Sequence, residues 1–411
     1  MGLGPSIKMT TRHHFFCPVT EELGKQTDLE FAGIIVDGVS EVCDDKIYTA
    51  KRTADLAKAI GADGAVVAID GWGNHHVDFV NVIEQLGIRG IPSVGLSYIG
   101  QQGRLVCSNS YVDCVIDFNK SISGYESCVV GQNNLMDYDA VKAVALLKNK
   151  MKKNGKWHTA TGEPGITGRL LRREYAVREV RFGERTEFTG GIFTLQEGIE
   201  QRIMKSDRIR EIRVRIVKPG EHDFFVNSNL DYFPIACKVQ GESGTGVTSL
   251  LTGVTVMLTG VEETGFQPSN IGSSEGILAE QTVFDREGTP GSQDYLLHID
   301  VRFLEGEGRT SEGIRDAHRA ADLIVNRIRN EMRKPLEMPY VKKEYADIAR
   351  PGASKVVLVK MVSGLGNMYE TAMFPEEPGG VLGAHFMMDS KNLPYVITPN
   401  QCRDGVIHSL L

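Results

Sequence analysis

Apolar and polar positions follow two rhythms along the chain. FAGIIVDG (Phe31–Gly38), GAVVAID (Gly64–Asp70) and IPSVGLSY (Ile91–Tyr98) are nearly continuous apolar runs, the pattern of parallel strands covered on both faces. Between them, TAKRTADLAKAIG (Thr49–Gly61) and VDFVNVIEQLGI (Val77–Ile88) repeat apolar residues at helical spacing, the first stopped by a glycine. RLVC and YVDCVIDF continue the strand pattern, and a helix is expected from Tyr138 to about Met151. A polar, glycine-rich stretch follows, and the linker is placed at 154–168. Beyond it alternation is stronger. EYAVREVRFGERTEF, REIRVRIVKPG, DYFPIACKVQG, VTVMLTGVEETG and DYLLHIDVRFLEG predict strands, Ser311 to Met332 a long helix, and KVVLVKMVSGLG one more strand. The expected fold class is α/β: an open, largely parallel sheet domain at 1–153, then a mixed α+β domain at 169–411.

Composition narrows the function classes. With 411 residues there is room for two cores, and 41% hydrophobic with 24% charged residues is ordinary for a globular chain. A net charge of −7 and the lack of a large basic block give no surface for nucleic acid. No apolar run reaches the roughly 18 residues of a membrane span, and the start lacks a signal-peptide pattern, so a cytoplasmic protein is expected. The seven cysteines include no CxxC pair, which argues against a disulfide framework or a zinc knuckle. Cys107, Cys114 and Cys237 sit in apolar runs and are expected in the core. Cys17, in HHFFCPV, and Cys402, in PNQCRDG, are the better reactive candidates.

The densest chemistry lies in DGWGNHHVDF, Asp70 to Phe79, between an expected strand and an expected helix. In an open α/β sheet that is where ligands bind. Asp70 and Gly71 are candidates for substrate or anion binding, and Asn74 is both a candidate and an expected helix cap. His75 and His76 are candidate acid–base groups because imidazole titrates near neutral pH. As neighbours they diverge on a helix, so no metal site is expected. A second candidate is GSSEG, where Gly272, Ser273 and Ser274 form an expected anion-binding turn and Glu275 adds a carboxylate. No GxGxxG and no Walker loop occurs, so nucleotide binding is not supported.

Longer segments resemble the D-proline reductase proprotein family, and more distantly component B of glycine, sarcosine and betaine reductases. In the second half these are RREYAVREVRF, GESGTGVTSLLTGVTVMLTGVEETGFQPSNIGSSEGILAE, RPGASKVVLVK, and EEPGGVLGAHF through VITPNQCRDGVIHSLL. In the first half they are LEFAGIIVDG, GAVVAIDGWGNHHVDFVNVIEQLGIRGIPSVGLSY, QQGRLV, and the run from DFNKSISGYE to AVALLKNKM. The first half is similar to the small, pyruvoyl-bearing part of that proprotein and the second to its large part. The order of the parts is reversed. Asp404–Leu411 corresponds to the stretch before the family's cleavage point and Gly2–Ser6 to the stretch after it.

In the family a cysteine at that cleavage point becomes a pyruvoyl group, an electrophile that holds the amine during C–N cleavage. Residues 1 to 16 contain no cysteine, so no pyruvoyl cofactor is expected, and Cys17 is the catalytic candidate near the vacated position. The resemblance implies a subunit or associated protein of a reductase complex acting on proline or a related amino acid. Its implied partners are a small selenocysteine- or cysteine-containing subunit and an amino-acid-like small molecule, with room for a homo-oligomer. One alternative is an active subunit opening the D-proline ring to 5-aminovalerate. Another is an isomerase or lyase acting on a cyclic amino acid.

Overall fold

The computed structural model describes residues 9–40, 42–69, 73–99, 105–124, 127, 129–203, 206–227, 230–260, 275–362, 371–383 and 393–409. The fold is α/β. Its first sheet contains β1 (Glu30–Gly38), β2 (Gly64–Ile69), β3 (Ser93–Ser97), β4 (Val115–Asp117), β5 (Lys355–Val362) and β6 (Tyr395–Ile397), in the order β6-β1-β5-β2-β3-β4. All neighbours are parallel except β6, which closes the β1 edge antiparallel.

The sheet does not end where the linker was expected. β5 and β6 belong to the segment assigned from sequence to the second domain, yet β5 lies between β1 and β2 in the first sheet. The physical reason is the run KVVLVKMV, which is apolar on both faces and is fully covered only at the centre of a parallel sheet. The expected linker is also shorter than 154–168, because a long strand already begins at Gly165. Of YVDCVIDF, only Val115–Asp117 pairs as a strand, and Leu105–Cys107 is irregular because the Val106 N–H turns to a histidine ring instead of a ladder.

Helices cover both faces. α1 (Thr11–Phe15) and α2 (Pro18–Gly24) precede β1, α3 (Cys43–Ile60) joins β1 to β2, α4 (His75–Ile88) joins β2 to β3, and α5 (Asp137–Lys153) follows β4. The period of two in the strands separates the two cores. Ile35, Ala65, Val67, Val357 and Val359 pack with Ala50, Ala54 and Ala57 of α3 and with Phe79 and Ile83 of α4. Ile34, Val36, Val66 and Leu358 point the other way, toward Leu23 of α2 and Leu147 and Met151 of α5. Gly95 lets α4 approach closely, since a Cβ there would meet the Phe79 ring at 2.5 Å.

The rest of the chain forms two four-stranded sheets, a three-stranded sheet and small ribbons. One four-stranded sheet runs Asp231–Phe233, Val254–Thr259, Tyr295–Phe303, Ile209–Val217, in that order. Against it packs α6 (Ser311–Met332), matching the expected span and capped by the Thr310 hydroxyl, which accepts the Gly313 N–H at 2.9 Å. The short helix α7 (Pro399–Arg403) and the strand Ile407–Ser409 return the chain to α1. Among the described residues, no helix is long and apolar enough to cross a membrane.

The central position of β5 makes a direct prediction. A fragment of residues 1–153 should show no cooperative unfolding transition in urea, because its sheet would be split between β1 and β2. In the full chain, Leu358→Ala should cost about 2–5 kcal/mol in the same assay. A cooperatively folding fragment would contradict this architecture.

Candidate functional site

The carboxyl ends of β1, β5, β2 and β3 lie side by side, and the residues there are polar although buried. On β1 the register pairs Asp37 with Met361 and Val36 with Lys360. Alternation therefore sends Asp37 to the face of α3 and α4, and Lys360 to the opposite face, that of α1 and α2. Both are buried.

Asp37 is 1% exposed, and neither carboxylate oxygen has a hydrogen-bond partner among the described residues. The Thr53 hydroxyl of α3 lies beside it outside hydrogen-bonding geometry. Burial pushes the Asp37 carboxyl up from 3.8 to about 8, and the nearby Asp78 charge pushes the same way. A buried carboxyl left in this state is costly unless something else meets it.

Next to it, Lys46 of α3 and Asp78 of α4 form a buried ion pair. Asp78 also accepts the Ser40 N–H at 3.2 Å, and the Lys46 ammonium reaches the Asn74 carbonyl at 3.4 Å. Burial raises the Asp78 carboxyl to about 6, with Lys46 pulling it back. The pair ties the start of α3 and the loop after β1 to the first turn of α4.

The two histidines lie inside the first turn of α4, not in the turn before it. They diverge as expected. His76 Nε2 donates toward Ser97 Oγ at 3.0 Å and the Tyr98 carbonyl at 3.2 Å, and its Nδ1 accepts the Val106 N–H at 3.4 Å. That pattern describes a neutral ring with the proton on Nε2. Burial depresses its pKa to about 4 despite the Tyr98 carbonyl. His75 is depressed to about 3 by burial and by the Lys46 and His76 charges. Both rings are therefore neutral at physiological pH, and His76 acts as a clamp on the chain after β3. Asn74 stands at the cap position, but its αR backbone leaves its side chain without a cap hydrogen bond, correcting the expectation that it caps α4.

The other candidates are scattered. Asp70, Gly71, Gly272, Ser273 and Ser274 lie outside the described residues, as do Gly2 and Leu411. Glu275 is half-buried and precedes the short strand Gly276–Ile277, which pairs with Phe225–Val226 on the flank of the second half. Cys17 and Cys402, the better reactive candidates by sequence, are both buried. Cys17 sits before Pro18, and its carbonyl receives the Glu21 N–H at 3.1 Å in the first turn of α2. Cys402 lies within α7, its thiol 3.5 Å from the His14 carbonyl and pushed up by burial. Cys107 and Cys114, expected in the core, are half-buried instead. Asp37 and Lys46 were missed because each sits in a stretch whose pattern is simply that of a strand or helix, and the one available signal was a carboxylate closing the apolar run FAGIIVDG; Asp78 lies inside DGWGNHHVDF, but the histidines were singled out there instead.

An open parallel sheet with buried polar groups at its strand ends is the frame of a ligand-binding α/β protein. The comparisons make the class specific. The family described as glycine/sarcosine/betaine reductase component B subunits matches residues 3–123 and 169–409, and the chain belongs to that family.

Among individual relatives, the chain is 33% identical over 252 residues to the D-proline reductase proprotein of Acetoanaerobium sticklandii, covering 61% of this chain and 40% of that protein. It is 38% identical over 69 residues to the betaine reductase complex component B subunit alpha of Peptoclostridium acidaminophilum, covering 17% and 16%. It is 31% identical over 120 residues to the glycine reductase complex component B subunits alpha and beta of the same organism, covering 28% and 27%. The chain thus spans less than half the length of the curated relatives it matches. No solved structure gives a significant match.

The raised Asp37 carboxyl sets a pH dependence. The folded state holds this proton more tightly than the unfolded chain, so its effect on stability is most favourable below about pH 4 and is lost as pH rises to about 8. Thermal unfolding of Asp37→Asn should show little gain over wild type at pH 4 and a growing gain toward pH 8. A difference that stays flat across that range would reject a buried, proton-holding Asp37. In the same assay, His76→Ala should lower stability by about 1–3 kcal/mol, since its removal takes away the acceptor of the Val106 N–H and one of the donors to the Tyr98 carbonyl.

Proposed function

We propose that the chain is a D-proline-reductase-like subunit, or an associated protein, of a reductase complex acting on proline or a related amino acid. The observation that carries this is the family match on both sides of the linker, residues 3–123 and 169–409. The 33% identity to a D-proline reductase proprotein supports proline or a close relative as the ligand. The relatives named as complex components support a multi-subunit setting. The implied partner is a small selenocysteine- or cysteine-containing subunit, and the implied compartment is the cytoplasm.

The ligand site is the mouth of the first sheet. A buried carboxyl without a hydrogen-bond partner among the described residues suits the ammonium of an amino acid: on binding, Asp37 releases its proton to solvent and the two charges satisfy each other. Lys46 and Asp78 hold the loop after β1 against α4. The chain works without a pyruvoyl group formed from its own cysteines, a reading supported by the burial of Cys17 before α2 and of Cys402 within α7. The reversed order of the two parts belongs to the same proposal. The Ser409 N–H donates to Thr11 Oγ1 at 2.8 Å, so segments that flank the family's cleavage point remain neighbours.

Intact mass under denaturing conditions should give one species that borohydride leaves unchanged. Two fragments, one shifted by hydride, would restore the pyruvoyl mechanism. Calorimetric titration with D-proline should show binding that Asp37→Asn abolishes while the fold survives. Equal binding by the variant moves the ligand elsewhere, and no binding of proline or related cyclic amino acids by the wild type removes the substrate assignment.

A further inference from the structure

The opposite face of the sheet leads to a second buried cluster that the proline proposal does not use. Asp231, at the start of the strand Asp231–Phe233, His318, in α6, and His408, in the strand Ile407–Ser409, come from segments far apart in sequence. Asp231 is 1% exposed, as are His318 and His408. One ligand-type atom from each lies within 4.8 Å of the other two.

Thr11 organises the cluster. Its hydroxyl donates to Asp231 Oδ2 at 2.8 Å and accepts the Ser409 N–H at 2.8 Å. Its backbone N–H donates to Asp231 Oδ1 at 2.9 Å. With its single proton committed to the carboxylate, the hydroxyl can only accept from His408 Nδ1, 2.8 Å away. With the Thr11 proton on the carboxylate, His408 donates from Nδ1 and presents the Nε2 lone pair. That lone pair faces His318 Nδ1 at 3.2 Å, with the two rings nearly perpendicular at 82°.

Two imidazole nitrogens bound to one tetrahedral zinc at the usual bond length stand about 3.3 Å apart. The observed spacing is what a shared metal would set. A histidine that binds through one nitrogen while donating from the other into a hydroxyl–carboxylate relay is also the ordinary support of a metal ligand. Asp231 meets the hydroxyl and N–H of Thr11 and the backbone of Tyr232, which leaves about one of its roughly four lone-pair positions for a cation. Arg329, a positive charge felt at His408, is held in a buried ion pair with Asp322.

We propose that Asp231, His318 and His408 form a site for a divalent transition metal of the zinc class, with Thr11 as a positioning residue. The donor set of two imidazoles and one carboxylate suits zinc and leaves a fourth position for water or a ligand oxygen. Taking up the metal draws the carboxylate inward from the 4.8 Å spread to bonding distance.

The test uses the full chain. After chelator treatment and dialysis, titration with Co2+ should give one equivalent of tight binding with the visible absorption of four- or five-coordinate cobalt, displaced by Zn2+. X-ray absorption of the zinc form should show two imidazoles. Conservative His318→Gln and His408→Gln variants that keep the native circular dichroism should lose the cobalt spectrum. Thr11→Val, which retains all three ligands, should weaken binding by about tenfold or more. Cobalt binding below about a tenth of an equivalent by the folded wild type, where a tight site should take up one, overturns the proposal. So does an unchanged spectrum in both histidine variants, or an absorption edge with no imidazole scattering; the facing rings are then a simple hydrogen-bonded pair. If the histidine variants do not fold, the wild-type stoichiometry and the Thr11→Val affinity still decide.

Discussion

Everything else in this structure depends on one strand being in the middle of a sheet to which, by sequence position, it does not obviously belong. β5 enters between β1 and β2 and hydrogen-bonds to both along nearly its whole length. Its apolar side chains feed both cores, Val357 and Val359 one way and Leu358 the other. Burial at about 25 cal/mol per Å2 of apolar surface, applied on two faces at once, makes this the natural place for so hydrophobic a run. The consequence is that two parts of the chain share a sheet and cannot be stabilised independently.

The same strand organises the chemistry. Because alternation along parallel neighbours is in register, Asp37 and Lys360 leave the sheet on opposite faces at nearly the same height. One face gathers Asp37, the Lys46–Asp78 pair and the neutral histidines of α4. The other gathers His13, His14, Lys360, Cys402 and, further out, the Asp231–His318–His408 cluster. Buried polar groups are costly, so their concentration at strand ends, while the strand centres remain apolar, marks these two regions off from ordinary core. Family membership fits this picture without naming a reaction, since the matches cover less than half of each relative.

Several site residues were visible in the sequence for the wrong reason. His75 and His76 stood out by composition, yet burial leaves both neutral, and His76 is occupied in clamping the chain after β3. Asp37 looked like the polar end of a strand and proves to be a buried carboxyl. In α6, His318, Asp322 and Arg329 fall on the same helical face as Ile314, Ala321 and Ile328, and polar residues inside an apolar stripe were the available sign of the second cluster. Cys17 and Cys402 drew attention because no apolar run surrounds them, but proximity between α1, α2 and α7 covers both.

By itself, the sequence determined the elements and the fold class. Period-two and period-3.6 patterns reflect which side of each element meets apolar neighbours, and those local rhythms placed β1, β2, β3, α4 and α6 close to where they stand. The long segments RREYAVREVRF and GAVVAIDGWGNHHVDFVNVIEQLGIRGIPSVGLSY also carried the family. Only the tertiary structure decided which strands are neighbours, because an apolar run carries no record of its partner. It also decided which polar groups are buried together. Thr11, Asp231, His318 and His408 are separated by up to 397 positions, and no local pattern encodes a contact at that range.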